Sequence, residues 1–248
     1  MFKMVLDNTD LLKNSIPIIA EIIDEGVFRI TQNSLSLLSA DRTMVAVVDF
    51  MIPGSAFEEF KVEGEEEVGI NLASLVDVIK RTKSSDKVII QSGKENRVSV
   101  VIEGNGKRKF DLALIDIKSE KPPIDQLKFP GKIEMMSEVL EEGIADADIV
   151  ADSVVFQGGQ DMFRMFTKGD MSSTELELKK GDDGMISATV SDSIKSRYPL
   201  EYLKKMIKAA KLSKNVSIEF GTDYPMRLGF VDVDRISLKF ILAPRVED

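Results

Sequence analysis

Neither cysteine nor histidine occurs in the 248 residues of this chain. Without cysteine there is no disulfide and no thiolate chemistry. Without histidine the commonest general base and the commonest zinc ligand are missing. A Ser-His-Asp triad and a cysteine protease are excluded together. No apolar run approaches the roughly 20 residues needed to span a bilayer. The N-terminal MFKMVLDNTD lacks the basic-then-apolar layout of a secretory leader, so neither membrane nor export is expected. Nucleotide-binding loops are lacking as well. Gly104-Asn105-Gly106 has no third glycine and no helix after it, and Gly158-Gly159 is followed by no GK[ST]. Positive charge is scarce: 33 basic against 42 acidic residues leave a net charge of −9, which argues against a simple basic nucleic-acid binder. Acid is plentiful, but Asp146, Asp148, Asp152, Asp161 and Asp170 fall at helix ends and turns, where Asp is ordinary. The expectation is no metal site, no cofactor and no catalysis. A metal-dependent enzyme built on the Asp cluster is the alternative.

What the chain does have is a repeat. Ile115 to Pro130, IDIKSEKPPIDQLKFP, carries adjacent prolines at Pro122 and Pro123 and no sustained apolar period, so it reads as an extended linker. Its flanks match each other when slid by 203 − 75 = 128 residues, which lays Leu75 on Leu203 and Ile79 on Ile207. The same offset lays Leu12 on Leu140, Ile16 on Ile144, Val27-Phe28 on Val155-Phe156, and Val88 on Val216, without a gap. A unit this long is a domain, not a solenoid repeat. The expected organisation is an N-terminal domain at 1–116, a connecting loop at 117–130 and a C-terminal domain at 131–248.

Alternating apolar residues predict strands at Phe2–Leu6, Gly26–Ile30, Ser34–Ser39, Met44–Ile52, Val68–Asn71, Lys87–Gln91, Arg97–Glu103 and Lys107–Asp116. The turn SGKEN and the pair Asn105-Gly106 mark hairpins. A helix capped by Asn8 or Thr9 runs through Leu11, Leu12, Ile16, Ile19, Ile22 and Ile23, with Pro17 expected to bend or interrupt it. Phe57–Phe60 reads as a short turn of helix, Glu63–Glu67 as an acidic loop, and Leu72–Ile79 as an amphipathic helix. The second half repeats this plan. Strands are predicted at Lys132–Met135, Ser153–Gln157, Met162–Lys168, Thr174–Lys180, Met185–Val190, Val216–Phe220, Met226–Val231 and Ile236–Leu242. Helices are predicted at Glu138–Ala147 and Pro199–Lys211, and a hairpin turn at Asp183-Gly184. Strand runs joined by tight turns predict antiparallel sheets, hence an α+β class with two topologically similar domains.

Helix 199–211 places Leu203, Met206, Ile207 and Ala210 on one face and Lys204, Lys208 and Lys211 on a neighbouring one. The equivalent segment of the first half offers Lys80, Arg81 and Lys83, and the first helix adds Lys13. Periodicity leaves two readings open. One is the polar side of a surface helix, for which Lys is a good former. The other is a positive surface facing phosphates on an otherwise acidic protein.

Several motifs in order, LSLLSADRTMVAVVDFMIP from Leu35 followed by AFEEF, INLASLVDVIKR from Ile70, then MFRMFTKGD, YPLEYLKKMIKAAKLS and the ending LAPRVED, cover essentially the whole chain. In these it resembles the proliferating cell nuclear antigen family of DNA sliding clamps, archaeal members above all. The resemblance implies a homotrimeric ring with sheets outside and helices lining the inner face, threaded by duplex DNA bound without sequence preference. It would be a DNA polymerase processivity factor rather than an enzyme, cytoplasmic and nucleoid-associated. It would tether polymerase, ligase and flap nuclease through short peptides, and be opened by a clamp loader. By family position Lys13, Lys80, Arg81, Lys83, Lys204, Lys208 and Lys211 are DNA-lining candidates. The peptide wall would be Ala40, Met44, Val45, Pro123, Ile124, Leu127, Pro225, Ala243, Pro244 and Arg245. Subunits would join edge to edge, Lys109–Asp116 of one chain against Thr174–Lys180 of the next, with Lys109, Leu112, Leu114, Thr174, Leu176 and Leu178 at the contact. The helix from Glu138 departs from the family pattern, being acidic where members place basic residues toward the hole. A subunit of a heterotrimeric or checkpoint-type clamp is the neighbouring alternative.

Overall fold

The computed structural model describes residues 1–117, 121–190 and 192–245. The proposed connecting loop thus includes three residues, 118–120, outside the described set, and the tail 246–248 lies outside it too.

The chain forms two compact units. The first comprises Met1–Arg42, Val48–Pro122 and Asp232–Leu238; the second comprises Thr43–Val47, Pro123–Val231 and Lys239–Asp248. The first half of the chain carries β1 (Phe2–Leu6), α1 (Asp10–Ala20), β2 (Glu25–Ile30), β3 (Ser34–Ala40), β4 (Ala46–Pro53), β5 (Glu59–Val62), β6 (Glu66–Asn71), α2 (Leu72–Ile79), β7 (Lys87–Ser92), β8 (Arg97–Gly104) and β9 (Gly106–Ala113). The second half carries β10 (Gly131–Met136), α3 (Ser137–Val150), β11 (Ser153–Gly159), β12 (Met162–Lys168), β13 (Ser173–Lys179), β14 (Met185–Val190), β15 (Ile194–Pro199), α4 (Leu200–Met206), β16 (Asn215–Phe220), β17 (Met226–Asp232) and β18 (Ile236–Leu242).

The 128-residue offset reappears in the coordinates. It relates the starts of β2 and β11 (153 − 25 = 128), of β6 and β15 (194 − 66 = 128) and of α2 and α4 (200 − 72 = 128). Topology follows the same rule. The order β5-β1-β7-β8 in the first unit corresponds to β14-β10-β16-β17 in the second, and β6-β2-β3 to β15-β11-β12; β9 lies beside β8 and β13 beside β12. Each of these neighbouring pairs is antiparallel.

Each core grows from the alternation. Leu35 and Leu37 of β3 and Phe28 and Ile30 of β2 point inward against Leu12, Ile16 and Ile19 of α1. Leu12, Ile16, Phe28, Ile30 and Leu35, with side chains from the neighbouring strands and α2, surround a cavity of about 40 Å³ with wholly apolar walls. In the second unit Phe156 is the hub, with edge-on rings of Phe163, Tyr198 and Phe220 at 5.4, 5.5 and 6.3 Å. Burial raises the Tyr198 hydroxyl pKa, and that hydroxyl donates to the Tyr224 carbonyl at 2.8 Å, so the polar tip is satisfied.

Several local expectations are corrected. Phe57–Phe60 is not helical: the helical turn is a 3₁₀ segment at Gly54–Ala56, and Glu59–Val62 pairs with β1. Two aromatic rings 5.0 Å apart there mimic helical spacing. Pro17 sits inside α1 without interrupting it, while Ile22 and Ile23 fall beyond its end. Asp183-Gly184 closes no hairpin, because β13 pairs with β12 whereas β14 pairs with β10 in the other sheet. The acidic loop is shorter than expected, since Glu66 and Glu67 already belong to β6. Met44 lies outside β4, in a left-handed turn with φ of 59°. The predicted hairpin at SGKEN is present, with Glu95 and Asn96 both at positive φ between β7 and β8. Two strands escaped prediction: β5, expected as a helical turn, and β15.

Candidate nucleic-acid interface and partner site

In the first unit α1 and α2 pack side by side. The Asn8 side chain accepts from the Asp10 N–H at 2.7 Å just ahead of α1, whose cap position is Thr9 without a side-chain cap bond. Thr9 instead turns its hydroxyl to the Lys83 carbonyl at 3.0 Å, and Lys13 Nζ donates to the Thr82 carbonyl at 3.1 Å. These two bonds fasten the start of α1 to the chain leaving α2. Lys80, expected on the helix, is its C-terminal cap; Arg81 and Lys83 lie beyond the end, and all three are exposed. A cation at this end complements the helix dipole. Lys13 is half-buried, its ammonium already engaged by a carbonyl.

In the second unit the predicted helix 199–211 divides. α4 ends at Met206 and a 3₁₀ segment continues over Ile207–Leu212. The tighter winding buries Leu203, Met206 and Ala209 at intervals of three, so Ala209 replaces Ala210 in the core. Lys204, Lys208 and Lys211 are all exposed on this element. Helix α3 packs against both of its segments and exposes Glu138, Glu141, Glu142, Asp146 and Asp148. Lys204 Nζ lies 2.8 Å from Asp148 Oδ2. A candidate phosphate ligand is therefore already paired with acid from the neighbouring helix.

The predicted peptide wall falls in the second unit apart from Ala40, which is half-buried at the end of β3 in the first. Val45 O accepts from the Ala243 N–H at 2.9 Å, which brings two of the wall residues together. Met44 is 68% exposed, held out by its left-handed backbone. Ile124 is buried and begins a 3₁₀ turn in which Leu127 N–H donates to its carbonyl at 3.2 Å; Leu127 is half-buried and Pro123 exposed. Pro225 is half-buried and follows Tyr224, whose ring stacks edge-on with Phe129 at 5.9 Å. Ala243 and Pro244 are half-buried and Arg245 exposed, its guanidinium 2.7 Å from Asp152. That guanidinium holds the Asp152 carboxyl below its usual range.

Both predicted contact strands end their sheets, β9 beside β8 and β13 beside β12. Leu112 of β9 and Thr174, Leu176 and Leu178 of β13 turn toward their own unit, and Leu178 is buried. Leu114 is past the end of β9, where its N–H donates to Asn96 O at 3.0 Å. Lys109 pairs with Asp111 at 3.0 Å.

A basic cavity was not foreseen. About 450 Å³ in volume, it is lined by Lys195 and Arg197 of β15, Thr222, Asp223, Pro244 and Arg245, among others. The signal available in the sequence was the alternation of Lys195 and Arg197. Among the described residues no group of three or more His, Cys, Asp or Glu is placed to hold a metal ion, and no helix is long and apolar enough to cross a membrane.

Comparison with known proteins shows the family to which this fold belongs. Residues 1–121 match the family model of the proliferating cell nuclear antigen N-terminal domain, and residues 123–245 match that of its C-terminal domain. The DNA polymerase sliding clamp of Thermococcus gammatolerans is 34% identical, with 100% of this chain and 99% of that protein aligned. The clamp of Pyrococcus horikoshii is 32% identical over the same shares. The crystal structure of the antigen from Thermococcus kodakaraensis superposes with a TM-score of 0.92 at 26% identity, covering 99% of this chain and 100% of that one. A PCNA2–PCNA3 complex from Sulfolobus tokodaii gives 0.91 at 27%, covering 99% and 100%. Two family models in tandem, a duplicated antiparallel fold and full-length relatives agree: the chain belongs to the proliferating cell nuclear antigen family.

Proposed function

We propose that this chain is the subunit of a ring-shaped sliding clamp, a homotrimer that encircles duplex DNA and acts as a processivity factor for a DNA polymerase. The observation that carries this reading is the match of the entire chain to proteins named DNA polymerase sliding clamp. Its role is tethering, not catalysis, and it works in the cytoplasm at the nucleoid of an archaeal cell.

Lys13, Lys80, Arg81, Lys83, Lys204, Lys208 and Lys211 face the phosphates. Such contacts carry no base information, which suits a protein that slides. Enclosure retains the DNA, so few cations are needed and a net charge of −9 is tolerated. The excess of acid elsewhere keeps DNA off the remaining surface. The Val45–Ala243 wall and the 123–127 turn receive the apolar plug of a short partner peptide, from polymerase, clamp loader, ligase or flap nuclease. Edge strands β9 and β13, each with unpaired backbone groups, join successive subunits. The domain limits 1–116 and 131–248, with the 117–130 connection, follow from the same assembly.

Primer extension on a singly primed circular template, with a clamp loader and a family polymerase, tests this. The chain should lengthen products, and Lys204→Glu combined with Lys208→Glu and Lys211→Glu should abolish the gain while leaving assembly intact. Equal product lengths with and without the chain would refute the role. A second reading, one subunit of a hetero-oligomeric clamp, is favoured by the likeness to a PCNA2–PCNA3 complex. In that case the chain would act only together with a different subunit.

A further inference from the structure

The geometry points to an additional subsite beside the peptide wall that takes an acidic side chain of the partner. This rests on the partner-peptide reading of that wall. The sheet β13-β12-β11-β15 packs one face on α3, with Met165 and Leu176 against Gly143. On the other face the strand register lines up Phe166, Val155 and Arg197 in one row and Arg164, Gln157 and Lys195 in the next. Lys195 Nζ sits 5.6 Å from the Phe166 ring centre, and Arg164 is 5.3 Å from the same ring. Glu175 engages Arg164 at 2.6 Å, which leaves the β15 side of the face the more basic.

The cavity of about 450 Å³ opens on that side. Its walls bring three cations, Lys195, Arg197 and Arg245, together with one carboxylate, Asp223; Arg245 is paired with Asp152 at 2.7 Å, so an acidic ligand falls to Lys195 and Arg197 first. Its frame is built by backbone: Arg245 N–H donates to Arg197 O at 2.8 Å, and Asp223 N–H to Lys195 O at 3.1 Å. A concentration of positive charge on a chain with net charge −9 selects a carboxylate over a basic or apolar group. Pro244 and Arg245 belong both to this cavity and to the proposed peptide wall. A peptide whose plug occupies the wall therefore runs on over Pro244 into the basic cavity. The occupant is an aspartate or glutamate flanking the apolar plug.

Fluorescence anisotropy with three labelled peptides tests the subsite. All share one apolar plug; two carry an Asp pair, one on each flank, and the third carries Ser at both. At low salt one acidic peptide should bind about fivefold tighter than the Ser peptide, an advantage that shrinks as salt is added. Lys195→Glu, a change at an exposed side chain, should erase that preference, as should Arg197→Gln, while affinity for the Ser peptide stays unchanged. Equal binding of all three peptides would overturn the subsite and leave the plug site standing. An acidic preference that survives both substitutions would overturn it equally. No binding of any peptide would overturn the plug site and the subsite with it.

Discussion

Lys204 and Asp148 face each other across two helices, ammonium to carboxylate at 2.8 Å. The contact shows how the acidic helix α3 fits a DNA-binding reading: it neutralises one lysine of the α4 set without burying it. Asp148→Asn should release Lys204 for phosphate contact. Both partners are largely exposed, so stability should change by less than about 0.5 kcal/mol. Duplex affinity should rise at low salt, and the slope of log affinity against log salt should steepen by about 0.9. An unchanged slope would mean that Lys204 does not reach DNA.

Leu127 and Pro244 are both half-buried in the second unit. Leu127→Ser combined with Pro244→Ser should weaken binding of an apolar-plug peptide at least about tenfold, in keeping with the loss of two partly buried apolar contacts. Calorimetry reads the affinity, and an unaltered melting temperature would show that the fold is intact.

Gly69 lies where the chain passes over β6 on its way to the connection. Ile115 N–H donates to Gly69 O at 3.0 Å, and a Cβ added to Gly69 would land on the Ile115 carbonyl oxygen. Backbone cannot yield as the end of a side chain can, so Gly69→Ala should cost about 2 kcal/mol or more in urea unfolding. A midpoint equal to the wild type would mean that the crossing is loose.

Glu59 of β5 is hydrogen-bonded first to Lys3 of β1 and then to Lys61, which pulls its pKa down to about 2. The folded state therefore favours the carboxylate. Its contribution is fully present above the unfolded glutamate pKa of about 4.3 and is lost as pH falls from there toward about 2. Between pH 7 and pH 3 the urea midpoint of Glu59→Gln should fall less than that of the wild type. Equal falls would show that Glu59 is not linked to acid sensitivity.

The duplication was legible because buried apolar positions repeat at one offset, which the starts of β2 and β11, of β3 and β12 and of β7 and β16 keep. β15 was hidden because its central inward residue is Ser196, 1% exposed, which donates to Tyr224 O at 3.4 Å where an apolar residue would have announced a strand. Applying the offset to β6 would have found it, since 66 + 128 = 194. β5 was missed because Phe57 and Phe60 imitate helical spacing. The lysines of α4 were legible from periodicity, but the pairing of Lys204 with Asp148 was not. That depends on how α3 packs beside α4, and no local pattern reports it. The basic cavity has the same character: Lys195, Arg197, Asp223 and Arg245 come from three separate segments.

The central claim is a closed ring made of three copies of this chain. Native mass spectrometry of the purified protein tests it most directly. A single species at three times 27.6 kDa, close to 83 kDa, is predicted. A species at 27.6 kDa throughout the micromolar range would contradict the homotrimer.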